Sequence, residues 1–257
     1  MILQILGCGT STGVPIPGCE CAVCLSPDPK NSRTRTSALI RLDDGRNILI
    51  DASTDLRQQA LRWGIKRVDA VLFTHAHADH ILGTDDLRCF NFILKKAIPC
   101  YGTAETLTAL TRAFEYIFKP DPEWEGGLLP QLELNEIRHN EPFRLFEIEF
   151  LPFLLSHGKS NVTGFRFNNA AYATDCNGIP LQSTDKLKNL EVFVLDALRY
   201  EKHSTHFTIK EACEVSKSLA AKRTYLVHMT HSVDYSEGSK SLPFGIEFAY
   251  DGLQIKI

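Results

Sequence analysis

Polar and apolar positions along this chain follow two rhythms that alternate from one end to the other. Strict alternation, as in Phe146-Glu147-Ile148-Glu149-Phe150, predicts strands. Unbroken apolar runs bounded by polar turns predict further, buried strands at 1–6, 68–73, 170–174, 192–196 and 224–227. Residues 38–42 and 47–51 flank Asp43-Asp44-Gly45 and predict a hairpin. A short helix is predicted at 54–63, where Gly64 suits its end. Two more are predicted within 85–112, on either side of a strand near 98–101, and another around Glu211. The proline- and glycine-bearing stretch 119–127, with Trp124, predicts a loop that could serve as a lid over a substrate. The tail, 248–255, predicts a hairpin or an edge strand. No linker, biased segment or repeat interrupts the pattern. Residues 1–257 therefore predict a single layered α/β domain whose loops converge at one edge.

Candidate chemistry recurs where the predicted strands end. Thr74-His75-Ala76-His77-Ala78-Asp79-His80 follows a buried strand directly. In extended chain alternate side chains point the same way, so His75 and His77 can reach one metal together. Asp79 and His80 lie where the chain can turn into a helix and aim at a second point. The plainer alternative is a surface loop rich in histidine. Asp51 also ends an apolar strand, where a carboxylate is costly unless paired, and a histidine of the 75–80 loop is its expected partner. His157 closes another apolar run and offers a third imidazole. Asp175, after 170–174, is suited to bridging two cations. His228 repeats the strand-then-histidine arrangement, with His231 three residues on.

Composition narrows the picture. Hydrophobic residues make up 44% and charged residues 23% of 257 residues, as in ordinary globular proteins. The net charge of −3 gives no basic footprint for a long nucleic acid. The N-terminal strand is too short and uncharged for a secretory signal, and no apolar run is long enough to span a membrane, so a cytoplasmic location is expected. Eight cysteines in a chain of this size predict metal binding and packing rather than a disulfide scaffold. Cys19, Cys21 and Cys24 form a C-x-C-x-x-C cluster that suits a structural zinc needing one distant ligand, with a redox pair as the alternative. Cys8, Cys89, Cys100, Cys176 and Cys213 are scattered and predict reduced packing residues. The loop 7–13 reads either as a phosphate cradle or as a tight structural turn. Arg33 and Arg35 either face solvent or meet an anionic substrate.

The ordered landmarks Asp51, His75-x-His77-x-Asp79-His80, His157, Asp175 and His228 resemble the metallo-β-lactamase fold family. The cysteine cluster and Leu-Val-His228-Met-Thr-His231 look like the branch containing the phosphoribosyl cyclic phosphodiesterase of the carbon–phosphorus lyase pathway, near the tRNA 3′-end processing nucleases. The resemblance implies a four-layer αβ/βα sandwich. It implies His75, His77 and His157 on one metal, Asp79, His80 and His228 on a second, and Asp175 between them. It implies a separate structural zinc on Cys19, Cys21, Cys24 and His231. His206, in Thr-His-Phe-Thr, matches the catalytic histidine of the family. His139 and His203 are left as surface residues, His203 being the catalytic alternative if the loop register is shifted. There is no room between Asp175 and His206 for the protruding arm with which the tRNA enzymes grip their substrate.

These features together predict a hydrolase of a small cyclic or nucleotide-like phosphodiester, using two divalent cations that this donor set allows to be zinc, manganese or iron. Asp79 or Asp175 would orient the nucleophile and His206 would act as general acid. Arg33, Arg35 and Lys159 are the candidate phosphate contacts. A thioester or lactone hydrolase on the same metals and a non-catalytic metal-binding scaffold are the alternatives. No membrane partner is expected, and a homodimer is compatible with the sequence.

Overall fold

The computed structural model describes residues 1–257. The first half of the chain supplies β1 (Ile2–Gly7), β2 (Ser37–Arg41), β3 (Asn47–Ile50), β4 (Ala70–Leu72), β5 (Ile98–Gly102) and β6 (Leu132–Glu136). The second half supplies β7 (Phe143–Leu145), β8 (Ile148–His157), β9 (Ser160–Phe167), β10 (Ala170–Ala173), β11 (Val192–Asp196) and β12 (Arg223–Val227). Last come β13 (Ile246–Phe248) and β14 (Gln254–Lys256). They form two seven-stranded sheets, ordered β14-β1-β2-β3-β4-β5-β6 and β13-β12-β11-β10-β9-β8-β7. Each sheet is antiparallel at one side and parallel at the other: β3 to β6 run parallel, as do β10 to β13.

The buried runs look continuous in sequence because both faces of the sheet are covered, and strand alternation divides them between two cores. Leu3, Ile5, Ile40, Ile48, Ile50 and Leu72 face the second sheet, in one core with Phe150, Phe165, Val194 and Leu226. Their neighbours Leu6, Leu39, Leu49, Val71 and Phe73 face outward. They are covered by α1 (Leu56–Arg62), α2 (Ala78–Ile81), α3 (Arg88–Leu94), α4 (Ala104–Ala113) and α5 (Glu115–Phe118), through Leu56, Ile81, Phe90, Leu110 and Ile117. On the far side α6 (Leu181–Thr184), α7 (Ile209–Ser218) and α8 (Tyr235–Ser239) flank the second sheet. The result is the four-layer αβ/βα sandwich.

Residues 248–255 do not pair with each other, so of the two readings of the tail the edge strand holds and the hairpin does not: β13 is an edge strand of the second sheet and β14 an edge strand of the first. The turn between them carries Asp251, whose carboxylate accepts from the amides of Cys8 and Thr34 and from Thr34 Oγ1 at 2.7–3.0 Å, tying the crossing segment to the start of the chain. The alternation at 146–150 is not one strand either. Phe146 adopts a left-handed backbone, with φ of 56°, and turns β7 into β8.

Candidate metal centre

Within each sheet the strands that carry most of the candidate residues run parallel, and the residues at their carboxyl ends come together across the two sheets. Asp51 follows β3, His75 comes shortly after β4, and His157 ends β8. Asp175 comes just after β10, Asp196 ends β11, and His228 follows β12. Asp51, Asp175 and His228 have left-handed backbones, with φ of 61°, 56° and 65°. Non-glycine residues adopt that region at a cost of about 1–3 kcal/mol each, and they concentrate where a side chain must be aimed. The chain turns sharply as it leaves three strands and directs three side chains inward.

Two groups of donors form. His75, His77, His157 and Asp175 bring their ligating atoms within 4.8 Å of one another, and Asp79, His80, Asp175 and His228 do the same. In the second group His80 Nε2 lies 3.2 Å from Asp175 Oδ1 and 3.4 Å from Asp79 Oδ2. His228 Nε2 lies 3.2 Å from Asp175 Oδ2 and 3.6 Å from Asp79 Oδ2. Four donors around one ion, each about 2.0–2.1 Å from it, stand roughly 3.3 Å apart. Asp175 belongs to both groups, its Oδ2 facing His228 and, at 3.8 Å, His75 Nε2, and its Oδ1 facing His80. The remaining test is hydrogen bonding. Nε2 of His75, His80 and His228 and Oδ2 of Asp79 are buried without a partner. Buried polar atoms are rarely left so, and cations held by the two groups would satisfy all four, one beside His75 and one among Asp79, His80 and His228.

The surroundings fix each ring. Asp51, fully buried, accepts from the amide and hydroxyl of Thr74 at 2.8 and 2.7 Å and from His80 Nδ1 at 2.7 Å, which leaves His80 Nε2 pointing at Asp175. Because the Thr74 hydroxyl donates to Asp51, its oxygen is free to accept from His75 Nδ1 at 3.0 Å. His157 Nδ1 donates to the carbonyl of Thr205 at 2.9 Å. Burial holds the His75 imidazole well below its usual pKa, and nearby His80 adds to this, which favours the neutral ring whose Nε2 can bind a cation. Burial alone would protonate Asp175, but His228 and His80 outweigh it and keep the carboxylate anionic.

Asp196 escaped sequence reasoning, although it ends an apolar strand just as Asp51 follows one. Its Oδ1 accepts from His206 Nδ1 at 2.9 Å and from the Asp175 amide at 3.1 Å, and its Oδ2 accepts from the Phe207 amide at 3.1 Å. A capping box between Thr208 and Glu211 starts α7 two residues later and fixes the segment that carries His206. The His206 ring stacks on His228, with centroids 4.7 Å apart and planes 11° apart, and meets His157 edge-on at 4.8 Å. With Nδ1 held by Asp196, Nε2 is the free nitrogen beside both groups of donors.

The cysteine cluster forms a separate group. Cys19, Cys21 and Cys24 place their sulfurs 3.3, 3.4 and 3.6 Å from His231 Nδ1. An ion with sulfur at about 2.3 Å and nitrogen at about 2.0 Å requires a separation of about 3.5 Å. The Cys24 amide pulls the Cys21 thiol down to about 6, whereas burial pushes Cys24 up to about 11.

Several expectations change. Arg33 is neither exposed nor near a substrate. It is 1% exposed and donates to the carbonyls of Thr230 and Val233 and to Asn31 Oδ1 at 2.7–3.0 Å, clamping the loop that carries His231. Arg35 is committed to Asp55 at 3.0 and 3.2 Å and to the Ser11 carbonyl. Lys159 is exposed in the turn after β8 and lines neither of the cavities beside the donor groups. His139 is half-buried and bonded to Thr163 Oγ1, and His203 is half-buried with its ring 5.3 Å from His206. Cys89 is exposed on α3, while Cys8, Cys100, Cys176 and Cys213 are buried. The 7–13 loop is a structural turn, since the amides of Gly9, Thr10 and Gly13 bond to Thr34, Met229 and Thr10. Its hydroxyls nevertheless line a cavity of about 350 Å³ beside His206. The 119–127 loop folds on itself through Trp124 Nε1 and the Gly127 carbonyl and lines neither that cavity nor the one beside His75 and His77. No helix is long and apolar enough to cross a membrane.

Known proteins were compared with this arrangement. A family model described as "Beta-lactamase superfamily domain" matches residues 46–229. A diphosphatase of the PhnP family has a crystal structure that is 41% identical, covers 99% of this chain and 96% of its own, and superposes with a TM-score of 0.91. Zinc-bound PqqB from Methylobacterium extorquens is 19% identical over the whole of both chains, with a TM-score of 0.81, and shares the fold. A protein named Octanoyltransferase, from Porphyromonas gingivalis, is 38% identical over 97% of this chain. The chain spans only half the length of that relative.

Proposed function

Because this chain belongs to the metallo-β-lactamase superfamily of metal-binding hydrolases, we propose that it hydrolyses a small phosphodiester on two cations, with His206 as the proton donor. The observation behind this is that two donor groups share Asp175 while His206, anchored by Asp196, stands over both. Two divalent cations held there would lower the pKa of a water toward neutrality and offset charge on the phosphoryl oxygens. His75, His77 and His157 would hold one and Asp79, His80 and His228 the other, with Asp175 shared. Water gives up a proton to solvent and adds to phosphorus, and the P–O bond to the leaving alcohol breaks. His206 holds a proton at Nε2 and passes it to the departing alkoxide, while Asp196 steadies the ring through Nδ1. Asp79 and Asp175 supply the fixed negative charge that orients the attacking water. The likeness to a diphosphatase supports phosphorus as the reacting centre.

The relative named Octanoyltransferase favours a second reading, hydrolysis of an acyl thioester by the same residues. The cavity beside His206 speaks against it. Of its twelve lining residues only Ile16 and Leu198 are apolar, a poor fit for an eight-carbon chain. Metal-reconstituted protein assayed in parallel on a chromogenic phosphodiester and an octanoyl thioester separates the two. The diester is expected to show the higher kcat/KM, and chelation is expected to abolish it. Preferential thioester cleavage would reverse the assignment, and full metal content without turnover of either ester would mean a scaffold.

A further inference from the structure

Residues 15–25 form a loop that the fold itself does not hold. None of them is buried, and none belongs to either core. Val14 is bonded to Arg33 through both backbone groups at 2.7 and 2.8 Å, and the next tie to the body of the protein is Asn31 Nδ2 donating to Ser26 Oγ at 3.1 Å. Between these anchors the backbone bonds are local. The amides of Cys19, Leu25 and Ser26 reach the carbonyls of Ile16, Cys21 and Val23, and the amides of Ile16 and Cys24 reach the sulfurs of Cys24 and Cys21. The only polar contact of 15–25 with the rest of the molecule is His231, whose Nδ1 faces all three cysteines. An ion on these four donors is therefore what fastens the loop. The fastening matters to the metal centre, because Ile16 and His231 both line the cavity of about 350 Å³ beside His206.

The fastening is open to oxidation. Cys19, Cys21 and Cys24 are half-buried, so a small peroxide can reach them, whereas Cys8, Cys100, Cys176 and Cys213 are enclosed. Cys21 and Cys24 have the C-x-x-C spacing that closes readily into a disulfide, and their ligating atoms lie within 4.8 Å of each other. Hydrogen peroxide supplies the oxidant. The Cys21 thiolate attacks one peroxide oxygen, the O–O bond breaks, and the departing hydroxide takes a proton to become water. The Cys24 thiolate then attacks the sulfenic sulfur of Cys21, the S–S bond forms, the S–O bond breaks, and a second hydroxide leaves as water. The two sulfurs give up two electrons in all, and the peroxide accepts them. Only Cys19 and His231 then remain as donors, too few for a closed tetrahedral site, so the ion is released and the loop with it.

We propose that the 15–25 loop is a redox-sensitive wall of the cavity beside His206, fastened while Cys21 and Cys24 are reduced and released when a peroxide joins them. The test uses zinc-loaded Cys89→Ser protein, which removes the one exposed cysteine. Cys89 belongs to no donor group and lines neither cavity beside the metal centre, so the basal state is kept. After hydrogen peroxide, elemental analysis is expected to show one ion lost per chain, and peptide mapping a Cys21–Cys24 disulfide. Amide hydrogen exchange within 15–25 should quicken about 10-fold or more while β12 stays protected. On a chromogenic phosphodiester kcat/KM should fall about 10-fold, and a thiol reductant with zinc should restore it. A cluster that stays reduced, an ion retained beside the disulfide, or exchange unchanged once the ion has left would each overturn the proposal. So would an unchanged kcat/KM in the oxidised, ion-depleted form. The activity readout alone rests on the phosphodiesterase reading. Reduced protein that cleaves no diester would count against that reading, while ion content and exchange decide the redox release without a substrate.

Discussion

Asp175→Asn is expected to lose at least one of the paired cations and to lower kcat/KM on a phosphodiester by more than about 1000-fold. Asparagine is the informative substitution because position 175 has a left-handed backbone, which asparagine tolerates and alanine resists. The fold should therefore survive while the charge disappears. That charge faces His80, His228 and His75 at 3.2, 3.2 and 3.8 Å, and it is the only carboxylate common to both donor groups. Losing a single preorganised stabilising group costs about 100- to 1000-fold in comparable sites, and here the cations go with it. Elemental analysis checks the outcome, since the cysteine cluster shares no donor with the groups that contain Asp175 and should keep its ion. A variant that retained both paired cations and most of its activity would remove Asp175 from the centre of the mechanism.

His206→Ala has the next largest expected effect, a fall in turnover of about 100- to 10,000-fold with metal content unchanged. The dependence on the leaving group separates proton donation from a structural role. A nitrophenolate departs without help, so the loss should be small for nitrophenyl esters and large for alkyl esters. Equal losses for both would argue for misplaced metals instead. Replacement of Asp196 should follow the same trend more weakly, since its carboxylate bonds His206 Nδ1 and the amides of Asp175 and Phe207.

Much of this site is legible in the sequence because its residues sit where hydrophobic strands stop. Ile50-Asp51, Phe73-Thr74-His75, Thr174-Asp175 and Val227-His228 each mark a carboxyl end, and a layered fold with parallel strands brings such ends to one edge. What the pattern does not carry is the direction of a side chain once the chain has left the strand. Asp196 has the same signature as Asp175, yet it points at His206, and only the packing of the loop before α7 decides that. Cations show the limit most clearly. Arg33 and Arg35 flank the cysteine cluster in sequence, but one is clamped onto the 230–233 carbonyls and the other onto Asp55. Arg199, unremarked in the sequence, is the one that reaches the cavity. The tail shows a related limit: alternation predicts strands but not which sheet each joins, and β13 and β14 are edge strands of different ones.

The most direct test of the central claim is anomalous diffraction from crystals of the metal-loaded protein. Two peaks should appear about 3.5–4 Å apart on either side of the Asp175 carboxylate, with a third among Cys19, Cys21, Cys24 and His231. A lone peak at the cysteines, with none between His75 and His228, would contradict the account and leave this chain a metal-stapled fold without the proposed chemistry.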